Sequence, residues 1–377
     1  MRIGFSAKND SSYGSIPHFQ NQLMGGMRES GAVPVVCRNV EDTIGLDAFV
    51  LVNSVSLAIQ EQIMNNVQSY WTLLLDAPFH HANWIASSPS STNYAVIDSS
   101  HPEILFQLDR RGVFFPHGGD TQAFRAWKDR DIDILFIGTA PDVDHATKYI
   151  ESFRPESCDV AKQLVHEALV SPWTPLLRLL ISLLKHSGIN MTIDESMSVL
   201  TWSDHLVRAT HRLNLLQAFS EFPVVVAGAG WDRVDMSPNH QWIGEVPCPE
   251  IAELMSRAKI VLCPSSGFTH GAHERTLTAM GSGAVPLTMP TSYLSQHFEH
   301  GTHIAYFHQL KEAVDLGRLI LNGSHWEVVG EAGHQIVDEA HSWAQRGKEL
   351  LTMLQKNTDG EMTEPVSQPT DLVSHHS

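Results

Sequence analysis

The chain is predicted to be an α/β protein with two doubly wound parallel-sheet domains facing a cleft and a helical segment inside the second. Three observations predict it. Short β-branched runs alternate with amphipathic stretches, which is the pattern of parallel strands covered on both faces. The length, 377 residues, exceeds what one hydrophobic core usually supports. The composition, 42% hydrophobic and 18% charged, is that of a globular protein rather than a disordered or coiled-coil one.

The first unit opens on the strand Met1–Phe5, followed by a Ser/Gly/Asn-rich loop to Pro17 and an amphipathic helix, His18–Glu29, closed by Ser30-Gly31. Val33–Val36, Phe49–Val52 and Thr72–Leu75 read as further strands, with a helix over Ile59–Ser69. Val113–Phe115 ends the block and Pro116-His117-Gly118-Gly119-Asp120 breaks it. A second unit starts with Ile132–Gly138. Residues 156–220 are mostly helical, and 176–185 are apolar nearly all round, the mark of a buried helix too short to span a bilayer. Strands resume at Pro223–Gly228, Ile260–Cys263 and Ala284–Thr288. Helices over 309–321 and 326–356 follow, and the polar, aperiodic stretch 357–377 is expected to be disordered. The expected units are 1–122, 123–325, and a C-terminal helical part, 326–356, packing back on the first domain.

Charge and cysteine usage narrow the function classes. Twenty-five Lys and Arg against 42 Asp and Glu give −17, a field that repels nucleic acid and anionic membrane. Cys37, Cys158, Cys248 and Cys263 form no CxxC pair, consistent with reduced thiols in the cytoplasm. No apolar run reaches the roughly 18–20 residues of a membrane span, and the first residues do not resemble a signal peptide.

Ligands of open α/β sheets bind beyond the carboxyl ends of the strands. The chemically densest strand-end loop is Pro264–Arg275, which contains Ser265, Ser266, Gly267, His270 and Gly271 and feeds a helix carrying Glu274, Arg275 and Thr278. Free N–H groups at a helix N-terminus beside an arginine suit an anion. Two DxD patterns, 131–133 and 142–144, carry little weight in so acidic a chain, and Gly228-Ala229-Gly230 lacks the third glycine of a dinucleotide fingerprint. The 22 histidines contain no HExxH, and adjacent His80-His81 are poorly placed to share a metal. No metal is therefore expected. In the first unit, Asp76 and His80, just after the strand Thr72–Leu75, are candidates for a general base.

The stretch His273–Leu287, HERTLTAMGSGAVPL, resembles the donor-nucleotide segment of group 1 glycosyltransferases of the GT-B fold, in particular the CgeB-like branch, with Arg275, Leu277, Ala279 and Gly283 in register. Trp242–Ser265, Ile132–Thr139 and Val224–Gly230 resemble the same family's base-binding turn and strands, so the likeness spans roughly 130–310. Two Rossmann-like domains are then implied, with a nucleotide-diphospho-sugar, UDP-linked, on the second and an acceptor on the first. The resemblance implies donor contacts from Lys148, Gly230, Ile243, Ser265, Ser266, Gly267, Gly271, Arg275 and Thr278, and catalytic roles among Asp76, His80, His270 and Glu274. Two glutamates usual in that family are replaced by His270 and Thr278, leaving Glu274 to take over a ribose or sugar contact. The acceptor is expected to be a glycan, a lipid-linked group or a protein. A degenerate binding or scaffold protein and a nucleotide-sugar epimerase or hydrolase are the alternative readings, and glycosylation of DNA is disfavoured by the net charge.

Overall fold

A computed structural model describes residues 1–7, 14–53, 56–264 and 267–358. The expected disorder of 357–377 falls almost wholly outside them, as do Ser265 and Ser266. The first sheet holds β1 (Arg2–Ser6), β2 (Val33–Cys37), β3 (Ala48–Val52), β4 (Ser69–Leu74), β5 (Asn93–Val96) and β6 (Gly112–Phe114). All are parallel, in the order β2-β1-β3-β4-β5-β6. β3 and β4 are buried along their whole length, as continuous apolar runs in the middle of a parallel sheet must be. Pro34 is confined to the edge strand β2, where its missing N–H does least harm. The connections are α1 (Ser15–Glu29), α2 (Leu57–Asn66), α3 (Ala82–Ser87) and α4 (His101–Gln107).

The second sheet is likewise parallel: β7 (Ile132–Ile137), β8 (Val224–Ala227), β9 (His240–Trp242), β10 (Ala258–Cys263), β11 (Val285–Thr288) and β12 (Ala305–Tyr306), in the order β12-β11-β10-β7-β8-β9. Between β7 and β8 run α5 (Val143–Glu151), α6 (Pro155–Val170), α7 (Leu176–Ser187) and α8 (Ile193–Ala218). Then come α9 (Cys248–Ser256), α10 (Glu274–Gly281), α11 (Ser292–His297), α12 (Leu310–Asn322), α13 (His325–Ala340) and α14 (Trp343–Thr358).

The helical segment belongs in sequence to the second sheet, yet much of its apolar surface packs on the first. Leu164, Leu180 and Leu200 share a core with Leu74, Tyr94, Val96 and Leu105. Further along α8, Leu215 and Leu216 join Ile134 and Val226 in the core of the second sheet. At 26 residues the helix is about 39 Å long, and it works as a strut between the two sheets. Thr192 caps it, its side chain accepting from the Glu195 amide.

The chain returns to the first domain at its end. α13 lies on α10, then a break at His341-Ser342 redirects α14 onto α1. Phe19 stacks on Trp343 at 4.7 Å, and Leu350, Leu351 and Leu354 complete the core beneath β1. Close approach of α1 and α14 depends on glycine: a Cβ on Gly26 would overlap the Ala344 carbonyl oxygen, and one on Gly347 the Leu23 carbonyl oxygen. His117, Gly118, Gly119 and Asp120 of the linker are buried under this crossing. Gly119 donates to His341 O and accepts from Trp343 N, at 2.9 and 3.1 Å. Gly26→Leu is expected to cost about 1–3 kcal/mol by overpacking, read as a lower urea midpoint with the sheets otherwise intact.

Candidate functional site

The carboxyl ends of β7, β8 and β10 meet on one side of the second sheet. After β7 comes Gly138, and after β8 Gly228, where a Cβ would overlap the Gly138 carbonyl oxygen. Gly228 has φ 137°, and Gly230, at φ 82°, leads into the turn Trp231–Arg233. Trp231 Nε1 donates to Gly138 O at 2.7 Å, so the two strand ends are tied together. Ile243 is exposed on the neighbouring turn after β9, its amide held by Val226 O.

Over this floor stand two guanidinium groups. A Cβ built on Gly138 would lie 3.6 Å from Arg275 Nη2 and 3.7 Å from Arg212 Cζ. Arg275 is in the first turn of α10, with His273 as the N-cap. Arg212 comes from α8 and donates from Nη1 to Thr139 O at 2.6 Å, while its buried Nε–H has no partner among the described residues. One turn earlier on α8, the Arg208 side chain lines Gly267, 3.0 Å from where a Cβ would stand. Burial, then the like charges of Arg275 and Arg208, push the Arg212 pKa down. Three cations so gathered, with an unpaired N–H and a helix N-terminus, are arranged for an anion.

Next to the arginines is a buried carboxylate. Asp204 is 2.8 Å from both His80 Nε2 and Arg208 Nη2. Burial alone would raise its pKa, but the Arg208 charge and the His80 hydrogen bond outweigh that and hold it at about 2. Arg208 Nη2 is also 3.1 Å from His80 Nε2. The ionised carboxylate is the stronger acceptor for an Nε2–H, and in that tautomer Nδ1 carries the lone pair. His80 sits in the turn Pro78–His81 after β4, against Phe79 and His205. Asp76 is close by on the same strand end, its carboxylate half-exposed and 4.0 Å from His81 Nε2.

The loop after β10 closes on the first domain. His270 N donates to Asp98 Oδ2 at 2.8 Å, and Gly271 pairs with Asp98 so closely that a Cβ would overlap the Ile97 carbonyl oxygen. The His270 ring contacts its neighbour Thr269 Oγ1 at 2.9 Å. Glu274 is half-buried with His273 Nδ1 at 2.5 Å, and that pairing outweighs burial to keep its carboxyl well below the usual range. Thr278 is buried beneath α10, where its hydroxyl accepts from the Asp120 amide at 3.1 Å. Lys148 stands on the exposed face of α5. The structure thus brings together Arg275, Gly230, Gly267 and His80, and turns Thr278 and Lys148 elsewhere. Sequence reasoning missed Asp204, Arg208, Arg212 and Asp98. The only signal for the first three was their spacing of four along one helix.

Residues 208–352 match the family described as Glycosyl transferase-like. The match runs from Arg208 into α14 and takes in Arg208, Arg212, Gly267 and Arg275, but not Gly138 or Thr139 after β7. No curated protein sequence matches the chain. Among solved structures, the fold is similar to Anabaena HepE in complex with UDP-glucose, with a TM-score of 0.58 at 11% identity over 94% of this chain and 100% of that one. It is similar to sucrose-phosphate synthase from Thermosynechococcus elongatus, with 0.57 at 10% identity, 96% and 100% being covered. T4 phage BGT in complex with its UDP-glucose substrate gives 0.54 at 12% identity, covering 94% and 99%. The fold is that of the GT-B glycosyltransferases, two six-stranded parallel sheets. Among the described residues, no helix is long and apolar enough to cross a membrane, and no group of three or more His, Cys, Asp or Glu could hold a metal ion.

The pH dependence of stability should register the Asp204 contacts. A carboxyl depressed from 3.8 to about 2 on folding contributes stability that is full above pH 4 and disappears as pH falls through 2. Asp204→Asn should therefore be less stable than the parent at pH 6, by about 3–5 kcal/mol if a buried ion pair is broken. The gap should shrink between pH 4 and pH 2 in denaturant titrations.

Proposed function

We propose that this protein moves a sugar from a nucleotide-diphospho-sugar, UDP-linked, to an acceptor hydroxyl, with arginines rather than a metal ion neutralising the leaving diphosphate. The observation that carries this is the convergence of Arg208, Arg212 and Arg275 over Gly138 and Gly267, with Arg212 Nε–H buried and unpaired. HepE and T4 phage BGT, whose structures are described with UDP-glucose, support the choice of donor. The register of Arg275, Leu277, Ala279 and Gly283 supports the narrower kinship with CgeB-like members. The absence of an apolar spanning helix among the described residues and the four free thiols support work in the cytoplasm.

In the proposed step, the acceptor oxygen bonds the anomeric carbon while its proton passes to His80 Nδ1. The bond from that carbon to the diphosphate breaks, and its electron pair leaves on the diphosphate oxygen. The new negative charge develops where the arginines and the α10 N-terminus already point, so stabilisation needs little reorganisation. Asp204 keeps the His80 ring oriented and favours the imidazolium that forms. Attack opposite the leaving group inverts the anomeric centre. His80 is the better base of the two expected candidates, because Asp76 lacks a comparable orienting partner. Gly230 and the Trp242–Val246 turn would receive the nucleoside, with Ile243 against the base. His270 and Glu274 flank the sugar side of the diphosphate.

Calorimetry with UDP tests the donor site. Arg212→Ala and Arg275→Ala should each weaken UDP about 10–100-fold, the worth of a charge-assisted hydrogen bond. A parent protein that fails to bind UDP, or variants with unchanged affinity, would sink the assignment. His80→Ala should lower turnover of UDP-glucose by about 10²–10⁴ while weakening UDP less than either arginine variant does, whereas Asp76→Asn should have the smaller effect on turnover.

A further inference from the structure

Asp98, just past the end of β5, is wholly buried, and its two carboxylate oxygens face different domains. Oδ1 stays within the first, accepting from the Ser100 amide at 2.9 Å and the Ser100 hydroxyl at 2.6 Å. Oδ2 reaches across the boundary and accepts from the His270 amide at 2.8 Å. Burying a carboxylate is costly unless donors replace the water it has lost. Asp98 therefore needs the His270 peptide where it is, and holds it against the first domain.

The stretch it holds, 267–272, belongs to no helix or strand, so outside partners must fix its backbone. The Thr269 carbonyl accepts from the Ser292 amide at 3.3 Å, and the Gly271 carbonyl from the Thr291 hydroxyl at 2.6 Å. The peptide joining Thr269 to His270 is thus gripped at its oxygen by the second domain and at its nitrogen by the first. Of these partners only Asp98 carries a charge, and a charge-assisted bond is the stronger kind. The donor contacts lie on either side of this anchor. Before it, Gly267, at φ 94°, fits against the Arg208 side chain. After it, Arg275 stands in the first turn of α10. Displacing the His270 peptide displaces both.

We propose that Asp98 is a positioning residue for donor binding. From the first domain it sets the loop that places Gly267 and Arg275 about the diphosphate, so nucleotide affinity in the second domain depends on a carboxylate of the first. This rests on the donor reading above and adds to it a coupling between the domains. Such coupling is reciprocal: a nucleotide held by the arginines tightens the Asp98 contact in turn.

Asp98→Asn tests it in the full chain. The two Ser100 donors require the amide oxygen, which turns the NH₂ toward the His270 N–H, donor against donor. In calorimetry this variant should bind UDP about tenfold more weakly, the worth of a hydrogen bond to a charged group. Ser99→Ala, whose hydroxyl meets the His270 carbonyl only at 3.5 Å, should bind UDP as the parent does. Hydrogen exchange separates positioning from a simple loss of stability. In the parent, saturating UDP should slow exchange over 267–273 and, across the boundary, over 97–101. In Asp98→Asn the protection of 97–101 should vanish. Unchanged UDP affinity in Asp98→Asn, or protection of 97–101 that persists in it, would overturn the proposal. Should Asp98→Asn not fold, Ser100→Ala, which removes one donor from Oδ1, should weaken UDP about threefold, and unchanged affinity there overturns the proposal equally. A parent that binds UDP without protecting 97–101 overturns the role of Asp98 alone. One that never binds UDP overturns the donor reading and this role together.

Discussion

The contact on which the site depends is the buried carboxylate of Asp204 between His80 and Arg208. It joins a turn of the first domain to the helix that carries two of the three site cations. A charge this deeply buried is tolerable only with good partners, so the presence of Asp204 requires both neighbours to stay in place. The orientation of the His80 ring, the reach of Arg208 along Gly267 and the approach of the two sheets are thereby coupled. Loosening one contact leaves an unpaired charge and disturbs the other two.

α8 makes this coupling possible. Its earlier turns are buried with the first sheet and its last turns with the second, so the stretch between must cross the gap. Asp204, Arg208 and Arg212 occupy that stretch at intervals of four, which places them on one face. The returning chain braces the gap from the other side. α14 lies on α1, and the turn before it clasps the linker glycines. Glycine is required wherever backbones touch across the boundary. Gly118 lies against Trp343, Gly119 against Leu277, and Gly271 against Ile97. Stability and site geometry are served by the same close approaches.

The two doubly wound sheets were legible because their central strands are short, unbroken β-branched runs, as at Phe49–Val52 and Ile260–Cys263. Strands with little aliphatic content were not. β5 begins with Asn93, β9 reads His-Gln-Trp, and β12 has two residues. The final helical stretch looked continuous because His341-Ser342 carries no glycine or proline, yet it divides there. In the site, Arg275 and the loop after β10 were readable because a strand, small residues and a helix start follow one another locally. Asp204, Arg208 and Arg212 were not. A charged stripe on a helix looks the same whether it faces water or another domain, and only the packing of α8 against Phe79 and Gly267 distinguishes the two. Thr278 shows the converse. The resemblance implied a donor contact for it, and in the fold its hydroxyl accepts from the Asp120 amide of the linker, which no local pattern signals.

The charge balance acquires a sharper meaning once the arginines are placed. A net −17 disfavours polyanions at the surface as a whole, while Arg208, Arg212 and Arg275 gather around Gly138 and Gly267, a local concentration of positive charge that the sum conceals. The acidity read in the sequence and the basic cluster revealed by the fold are therefore compatible, because a charge sum does not report where individual cations lie, and burial such as that of Arg212 lowers the local dielectric and strengthens whatever contacts those cations make.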